Sequence, residues 1–193
     1  MNEFPAIALI EFRSVVAGAF AADAMVKKAS LALFEAGTVQ PGRYLVLIGG
    51  STGEVDECYR AGLQAGTPDI LDDVLLPDAH ADLVKAVQGA RTELNADSIL
   101  TLETSTTPAI LRAVDASIKG SRVTLAEVRL ADGLGGKGVA TLCGERADVE
   151  AAADIAASVL AGRTGTLCHS IVSRVHELLA GRMNRSTRFH TDG

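Results

Sequence analysis

The sequence predicts a mixed α/β (α+β) chain made of two copies of one small domain, each an antiparallel sheet with helices packed on it. Three observations predict this. The chain matches itself when shifted by 92 residues. Short apolar runs and stretches of helical spacing recur in the same order in both halves. The apolar residues, 48% of the 193, are mostly Ala, Val, Leu and Ile, with no Trp and only 4% aromatics. Side chains of this size suit thin layers of helix on sheet, and the length suits one large domain or two small ones.

The repeat sets the architecture. Ile7-Ala8-Leu9-Ile10-Glu11 falls on Ile99-Leu100-Thr101-Leu102-Glu103. Ala21, Asp23, Ala24 and Lys27 fall on Ala113, Asp115, Ala116 and Lys119, and Leu33 and Glu35 on Leu125 and Glu127. After a two-residue insertion Gly50 and Val55 meet Gly144 and Val149; after two more, His80 meets His176 and Leu83 meets Leu179. The domains are therefore expected at residues 5–90 and 97–183, joined by the polar run 89–96. A polar, partly basic tail follows at 184–193, with Arg185, Arg188 and His190, and is expected to be flexible.

Each half reads in the same order. Residues 6–12 are a short apolar run, expected as a strand. Over 16–28, Val16, Phe20, Ala24 and Lys27 follow helical spacing, with Ala filling the tight face. Two apolar runs, 31–39 and 43–50, are joined by the turn residues Gln40-Pro41-Gly42. Ser51-Thr52-Gly53-Glu54 has the form of a capping box, so a helix starts there and stops at Gly66-Thr67-Pro68. Residues 70–76 are a further strand and 79–87 a last short helix. In the second half Thr107-Pro108 is expected to supply an N-cap and a first-turn proline. The order β-α-β-β-α-β is the split βαβ, ferredoxin-like arrangement, a frame that hosts unrelated functions.

Bulk charge and composition exclude several classes. A net charge of −6 argues against a nucleic-acid binder, which usually carries a basic stripe. No charge-free run of about 18 apolar residues suggests a membrane span. The start, Met1 to Pro5, shows no secretory signal, and three widely spaced cysteines, Cys58, Cys143 and Cys168, fit a reducing cytoplasm. Cys168-His169 could offer two metal ligands but has no evident partners; a buried thiol beside a solvent-facing imidazole is the expectation. Gly133-Leu134-Gly135-Gly136-Lys137-Gly138 matches GxGxxG formally, yet an apolar, strand-like run follows it where a dinucleotide site needs a helix. Gly49-Gly50-Ser51-Thr52-Gly53 has better context for an anion, but turn and capping box already account for it. No nucleophile–base pair, acid–base dyad or metal cluster emerges, so no catalytic residue and no cofactor is expected.

The ordered set of residues resembles the bacterial microcompartment (BMC) shell domain. The resemblance rests on residues 7–35, a strand ending in Glu11 followed by Ala22-Asp23 and Lys27. It rests equally on 99–127, with Val114-Asp115 and Lys119. The passages Pro41-Gly42-Arg43-Tyr44 and Gly135-Gly136-Lys137-Gly138 look like the family's pore-loop-to-strand segments. Pro77-Asp78-Ala79-His80 and Ser173-Arg174-Val175-His176 resemble its P-R-P-H segment. Similarity runs over roughly residues 5–183, and the standard element order points to the tandem, non-permuted type.

The resemblance implies a shell-building homotrimer, a six-sided tile that joins other shell proteins and passes small metabolites through a central pore. Thr38, Val39, Gln40, Pro41 and Gly42, with Gly133, Leu134 and Gly135, would line that pore. Lys27, Lys119, Asp78, His80, Arg174 and His176 would lie along tile edges or between domains. Some tandem members carry a Cys before Pro-Gly that binds an iron–sulfur cluster; Gln40 stands there and offers no thiolate. Lys27 and Lys119 also form D-x-x-x-K pairs with Asp23 and Asp115, which by themselves add only about 0.3–0.5 kcal/mol. The alternative is a trimeric ferredoxin-like regulatory protein that binds a ligand between subunits.

Overall fold

A computed structural model describes residues 4–189. The first half runs β1 (Ala6–Phe12), α1 (Val15–Val26), β2 (Leu33–Val39), β3 (Arg43–Gly50), α2 (Thr52–Gly66), β4 (Ile70–Leu76) and α3 (Ala81–Val87). The second repeats it as β5 (Ser98–Thr104), α4 (Thr107–Gly120), β6 (Thr124–Leu130), β7 (Gly138–Gly144), α5 (Arg146–Leu160), β8 (Leu167–Ser173) and α6 (Glu177–Arg185). The sheets are ordered β2-β3-β1-β4 and β6-β7-β5-β8, with every neighbouring pair antiparallel. This is the predicted split βαβ arrangement, present twice.

Local chemistry explains the element ends. Ser14 caps α1 by accepting from the Ala17 amide at 3.3 Å. Ser51 and Glu54 close the predicted capping box on α2, satisfying donors that the first turn leaves open. The β2–β3 connection turns at Gly42, whose φ of +85° lies in the region where a side chain is strained.

Alternation along β1 divides the core. Ala6, Ala8, Ile10 and Phe12 face α1 and α2, packing with Ala21, Met25, Val55 and Cys58. Ile7 and Leu9 point the other way, into a larger cluster that holds Val74, Leu83 and Val84 together with Leu100, Ile110, Leu111, Val114 and Leu142 of the second half. The first sheet is thus covered on both faces, the second of them by the other domain.

Three expectations are corrected. Helix 16–28 exists, but Val16 and Phe20 are 80% and 66% exposed; the buried face is Gly18, Ala21, Ala22 and Met25. The N-cap of α4 is Thr106, with no side-chain cap bond, and Thr107-Pro108 already belongs to the helix. Cys168 is exposed, while Cys58 and Cys143 are buried. Residues 184 and 185 finish α6, and the Arg188 guanidinium pairs with Asp132 while Thr187 donates to Glu127 at 2.7 Å. His190 and the rest of the tail lie outside the described residues.

Candidate functional site: the inter-domain seam and the paired loops

The two domains meet along α4. One of its faces lies on its own β5 and β7, the other on β4 and β1 of the first domain, so Pro108, Ile110, Leu111, Val114 and Ile118 are all buried. Helix α3 in turn packs on β6. Burial of this kind stabilises by about 25 cal/mol per Å² of apolar surface removed from water, and it welds the halves into one core.

Polar groups lock the seam at three points. Glu11, wholly buried at the end of β1, accepts from the Thr107 amide at 2.7 Å and from Arg43 at 2.6 Å. The first domain's carboxylate thereby caps the second domain's helix, in place of the missing side-chain cap. Its negative charge also suits the positive end of the helix dipole. Burial nevertheless pushes the Glu11 carboxyl above its usual range, against the pull of the Thr107 amide and Arg43.

One strand away, Asp72 accepts from the Thr106 hydroxyl, and burial raises its carboxyl too. Arg112 reaches the Asp73 carbonyl. The Asp73 carboxylate accepts from the Tyr59 hydroxyl, whose ionisation is pushed up first by burial and then by that bond. At the far end of α4, Asp115 accepts from the His80 amide at 2.8 Å and pairs with Lys119 at 2.7 Å, and Lys119 also donates to the Asp78 carbonyl.

The two predicted pore loops come together. Arg43 extends from the β2–β3 turn to the carbonyls of Ser105 and Gly136, each at 3.4 Å. The loops touch so closely that a Cβ on Gly136 would stand 2.7 Å from the Arg43 guanidinium and 3.2 Å from Pro41. Thr38, Gln40, Pro41, Gly42, Gly133 and Gly135 are exposed around this contact, with Val39 and Leu134 half-buried.

The predicted edge residues separate into two sets. Lys27, 70% exposed, holds Asp23 on the open side of α1. Lys119, at 38%, is drawn into the seam. The Asp78 and Arg174 side chains are exposed, and among the described residues no ion pair within the chain engages either. His80 and His176 prove to be helix caps: their Nδ1 atoms accept from the Asp82 and Leu178 amides, each at 3.2 Å. The His80 backbone amide makes the inter-domain bond. Among the described residues no cluster of three or more His, Cys, Asp or Glu could hold a metal.

Sequence reasoning passed over Arg43, Asp72, Thr106 and Arg112 as seam residues. A signal was present in the repeat: Glu11 and Glu103 align, and so do two cations at the start of the partner strands, Arg43 opening β3 and Lys137 just before β7. In the second domain that pair is made at 2.8 Å but stays half exposed, and Glu103 raises the Lys137 ammonium through their hydrogen bond and charge.

A fused pair of sheet-and-helix domains, packed side by side with their turn loops joined, defines a protein of modular assembly. The BMC domain model matches residues 6–78 and again 98–175; the chain belongs to the BMC domain family and carries that domain twice in tandem. It is 33% identical to the bacterial microcompartment shell protein PduT of Citrobacter freundii, over 92% of this chain and 97% of that protein. Its fold matches the crystal structure of a microcompartment protein from Desulfitobacterium hafniense DCB with a TM-score of 0.79 and 31% identity, covering 92% of this chain and 98% of the other. A double-ringed trimeric shell protein from the RMM microcompartment matches with a TM-score of 0.57 over 81% and 83% of the two chains; at 15% identity this likeness shows the fold alone. Nothing in these relationships supports the regulatory alternative.

Proposed function

We propose that the protein is a structural component of a bacterial microcompartment shell in the cytoplasm. Three chains join into a six-sided tile with a pore on its three-fold axis, and tiles join one another and other shell proteins edge to edge. The observation that carries this reading is the seam. Two homologous domains already pack side by side in one chain, and Arg43 ties their pore-type loops together. Repetition of one such contact around a closed ring is the usual route to a symmetric oligomer. The likeness to PduT along nearly the whole length supports the shell role.

In this tile, Thr38 to Gly42 and Gly133 to Gly135 ring the pore, and three Gln40 amides offer neutral hydrogen-bonding groups to a small polar metabolite. With an amide at that place the tile holds no iron–sulfur cluster and acts as a conduit rather than an enzyme. Edge contacts fall to Lys27, Lys119, Asp78, His80, Arg174 and His176. Edges bearing Asp78 alternate with edges bearing Arg174 around the rim. In a layer where all tiles share one orientation, opposite edges meet, and opposite edges of an alternating hexagon are of opposite kind. Asp78 then faces Arg174 at every joint.

Negative-stain electron microscopy of the concentrated protein tests this. Hexagonally ordered sheets are expected, and Asp78→Arg, which makes all six edges basic, is expected to abolish them. Asp78→Arg is a cleaner probe than a Lys27→Ala, Lys119→Ala double variant, because Lys119 also belongs to the seam. Sheets unchanged by Asp78→Arg would overturn the edge pairing, and discrete particles of the unmodified protein under all salt and concentration conditions would overturn self-tiling.

A further inference from the structure

The two domains line one equivalent cleft with different chemistry. Strand register fixes the equivalence. Leu9 pairs with Leu47, and Gly37 with Leu45, in the first sheet; Thr101 pairs with Thr141, and Arg129 with Val139, at the same places in the second. The closing helices are aligned by their histidine N-caps, His80 and His176, which makes Ala86 of α3 the counterpart of Arg182 of α6. Leu9, Leu47, Gly37 and Ala86 of the first domain are thus replaced by two hydroxyls and two guanidiniums. The first domain shows that the fold itself requires none of these polar groups.

In the second domain the cleft lies between α6 and the sheet and has a volume of about 520 Å³, within the range of small-molecule sites. Among the described residues no carboxylate lines it, whereas Arg129, Arg182 and Arg188 do. Asp132 neutralises Arg188. Arg182 donates to the main-chain carbonyls of Ser186, Arg188 and Phe189, and Arg129 to the Asp132 carbonyl at 3.0 Å. Carbonyls satisfy N–H groups without cancelling the charge, so among the described residues two guanidinium charges stand without a counter-ion at the cleft. The buried Arg129 Nε has no acceptor at all, and an unmade hydrogen bond of this kind carries a desolvation cost that an incoming acceptor removes. Val139, Leu179 and Met183 add apolar walls.

We propose that this cleft binds a small organic oxyanion, its carboxylate or phosphate head held by Arg129 and Arg182 and its short apolar chain lying along Val139, Leu179 and Met183. A guanidinium presents its N–H groups as a fork that matches two oxygens of either head. The Thr101 and Thr141 hydroxyls donate to the oxygens that remain. None of the residues assigned to the pore or to the tile edges lines the cleft, so the site goes beyond the shell role and does not depend on it. Helix α6 buries no residue of its own. A ligand gives its inner side something to pack on, and binding therefore stabilises the helix.

Titration calorimetry of the full chain with butyl phosphate, butanoate, inorganic phosphate and butanol tests this. Saturable binding of at least one butyl anion is expected, about tenfold tighter than inorganic phosphate because of the buried chain, with no binding of butanol. The tighter of the two butyl anions identifies the head. A Thr101→Leu, Thr141→Leu double variant installs the residues that the first domain carries at these places, so the fold accepts them. It is expected to fill the cleft and abolish binding while circular dichroism keeps the native signal. Arg129→Gln is expected to weaken binding by about tenfold or more. Amide exchange over residues 177–183 is expected to slow when the tighter anion is added to the native chain, and to stay unchanged in the leucine variant. Absence of saturable binding by both butyl anions would overturn the site. So would equal binding of butanol, which would leave an apolar groove alone, or binding that survives in the leucine variant, which would put the anion elsewhere on the surface. Inorganic phosphate bound as tightly as the butyl anions would overturn the assigned apolar chain.

Discussion

Helices α1 and α4 hold the same place in the two copies of the domain, yet only α4 is buried. Both follow a strand whose next-to-last residue is glutamate, and both carry an Asp-x-x-x-Lys pair. The difference lies in what stands on the other side. The first domain's sheet packs on the far side of α4, whose Pro108 and Leu111 are buried, while Val16 and Phe20 of α1 stay exposed. Burial here is a property of the neighbour, not of the helix. The same contrast runs through the glutamates: Glu11 is sealed between Arg43 and a helix N-terminus, while among the described residues Glu103 has only Lys137.

The largest effect should come from those two glutamates. Glu11→Ala strips a buried carboxylate from a cation and a helix amide. Breaking a buried pair by removing one partner costs about 3–5 kcal/mol, so a large drop in the urea midpoint of unfolding is expected. Glu103→Ala removes a solvent-screened pair and is expected to leave the midpoint of the dilute chain where it was, since exposed pairs contribute little. Equal shifts would mean that the seam is not the stabilising element described above.

Acid titration sharpens the contrast. Burial raises the Glu11 carboxyl from 4.5 and the Asp72 carboxyl from 3.8. Between those values and the raised ones, the folded chain holds protons that the unfolded chain has released. The unfolded state binds fewer protons there, so stability falls as pH rises through this window. The slope is at most about 1.4 kcal/mol per pH unit for each group. Denaturant titrations from below the lower value upward should show this decline in the native chain and a flatter profile in a Glu11→Gln, Asp72→Asn double variant. An unchanged profile would remove these two carboxyls as its source.

The secondary structure was legible because its signals are local. Ser51 and Glu54 announce α2, Gln40-Pro41-Gly42 the β2–β3 turn, and the 92-residue shift the repeat itself. The seam was not. Val16 and Phe20 have the spacing of a core-facing stripe, and periodicity reports amphipathicity without saying whether the apolar side meets the same chain. Thr107 could not be separated from Thr106 as the cap, since the group that satisfies the first turn of α4 is Glu11, 96 residues away in sequence. Cys168 read as buried because free cysteines usually are, but it lies on β8, most of whose residues are exposed. Of the candidate site, the two loops expected to line a pore were named as segments, but Arg43 joins them through bonds to Ser105 and Gly136 that no local motif encodes.

The smallest effect separates the two closing helices. His80 and His176 cap α3 and α6 with the same Nδ1 geometry, so the bond removed by alanine is the same. What it supports is not. Helix α3 buries Leu83 and Val84 in the shared core, whereas α6 buries no residue, and Leu178 and Leu179 remain exposed. Loss of an N-cap costs about 0.5–2 kcal/mol, and it reaches global stability only where the helix unfolds with the core. His80→Ala is therefore expected to lower the urea midpoint and speed amide exchange throughout α3 only by global opening. His176→Ala is expected to speed exchange over residues 177–183 and leave the midpoint unchanged. If His176→Ala lowered the midpoint as much as His80→Ala, α6 would be coupled to the core as tightly as α3, and the contrast between a covered first domain and an open second one would fail at this end of the fold.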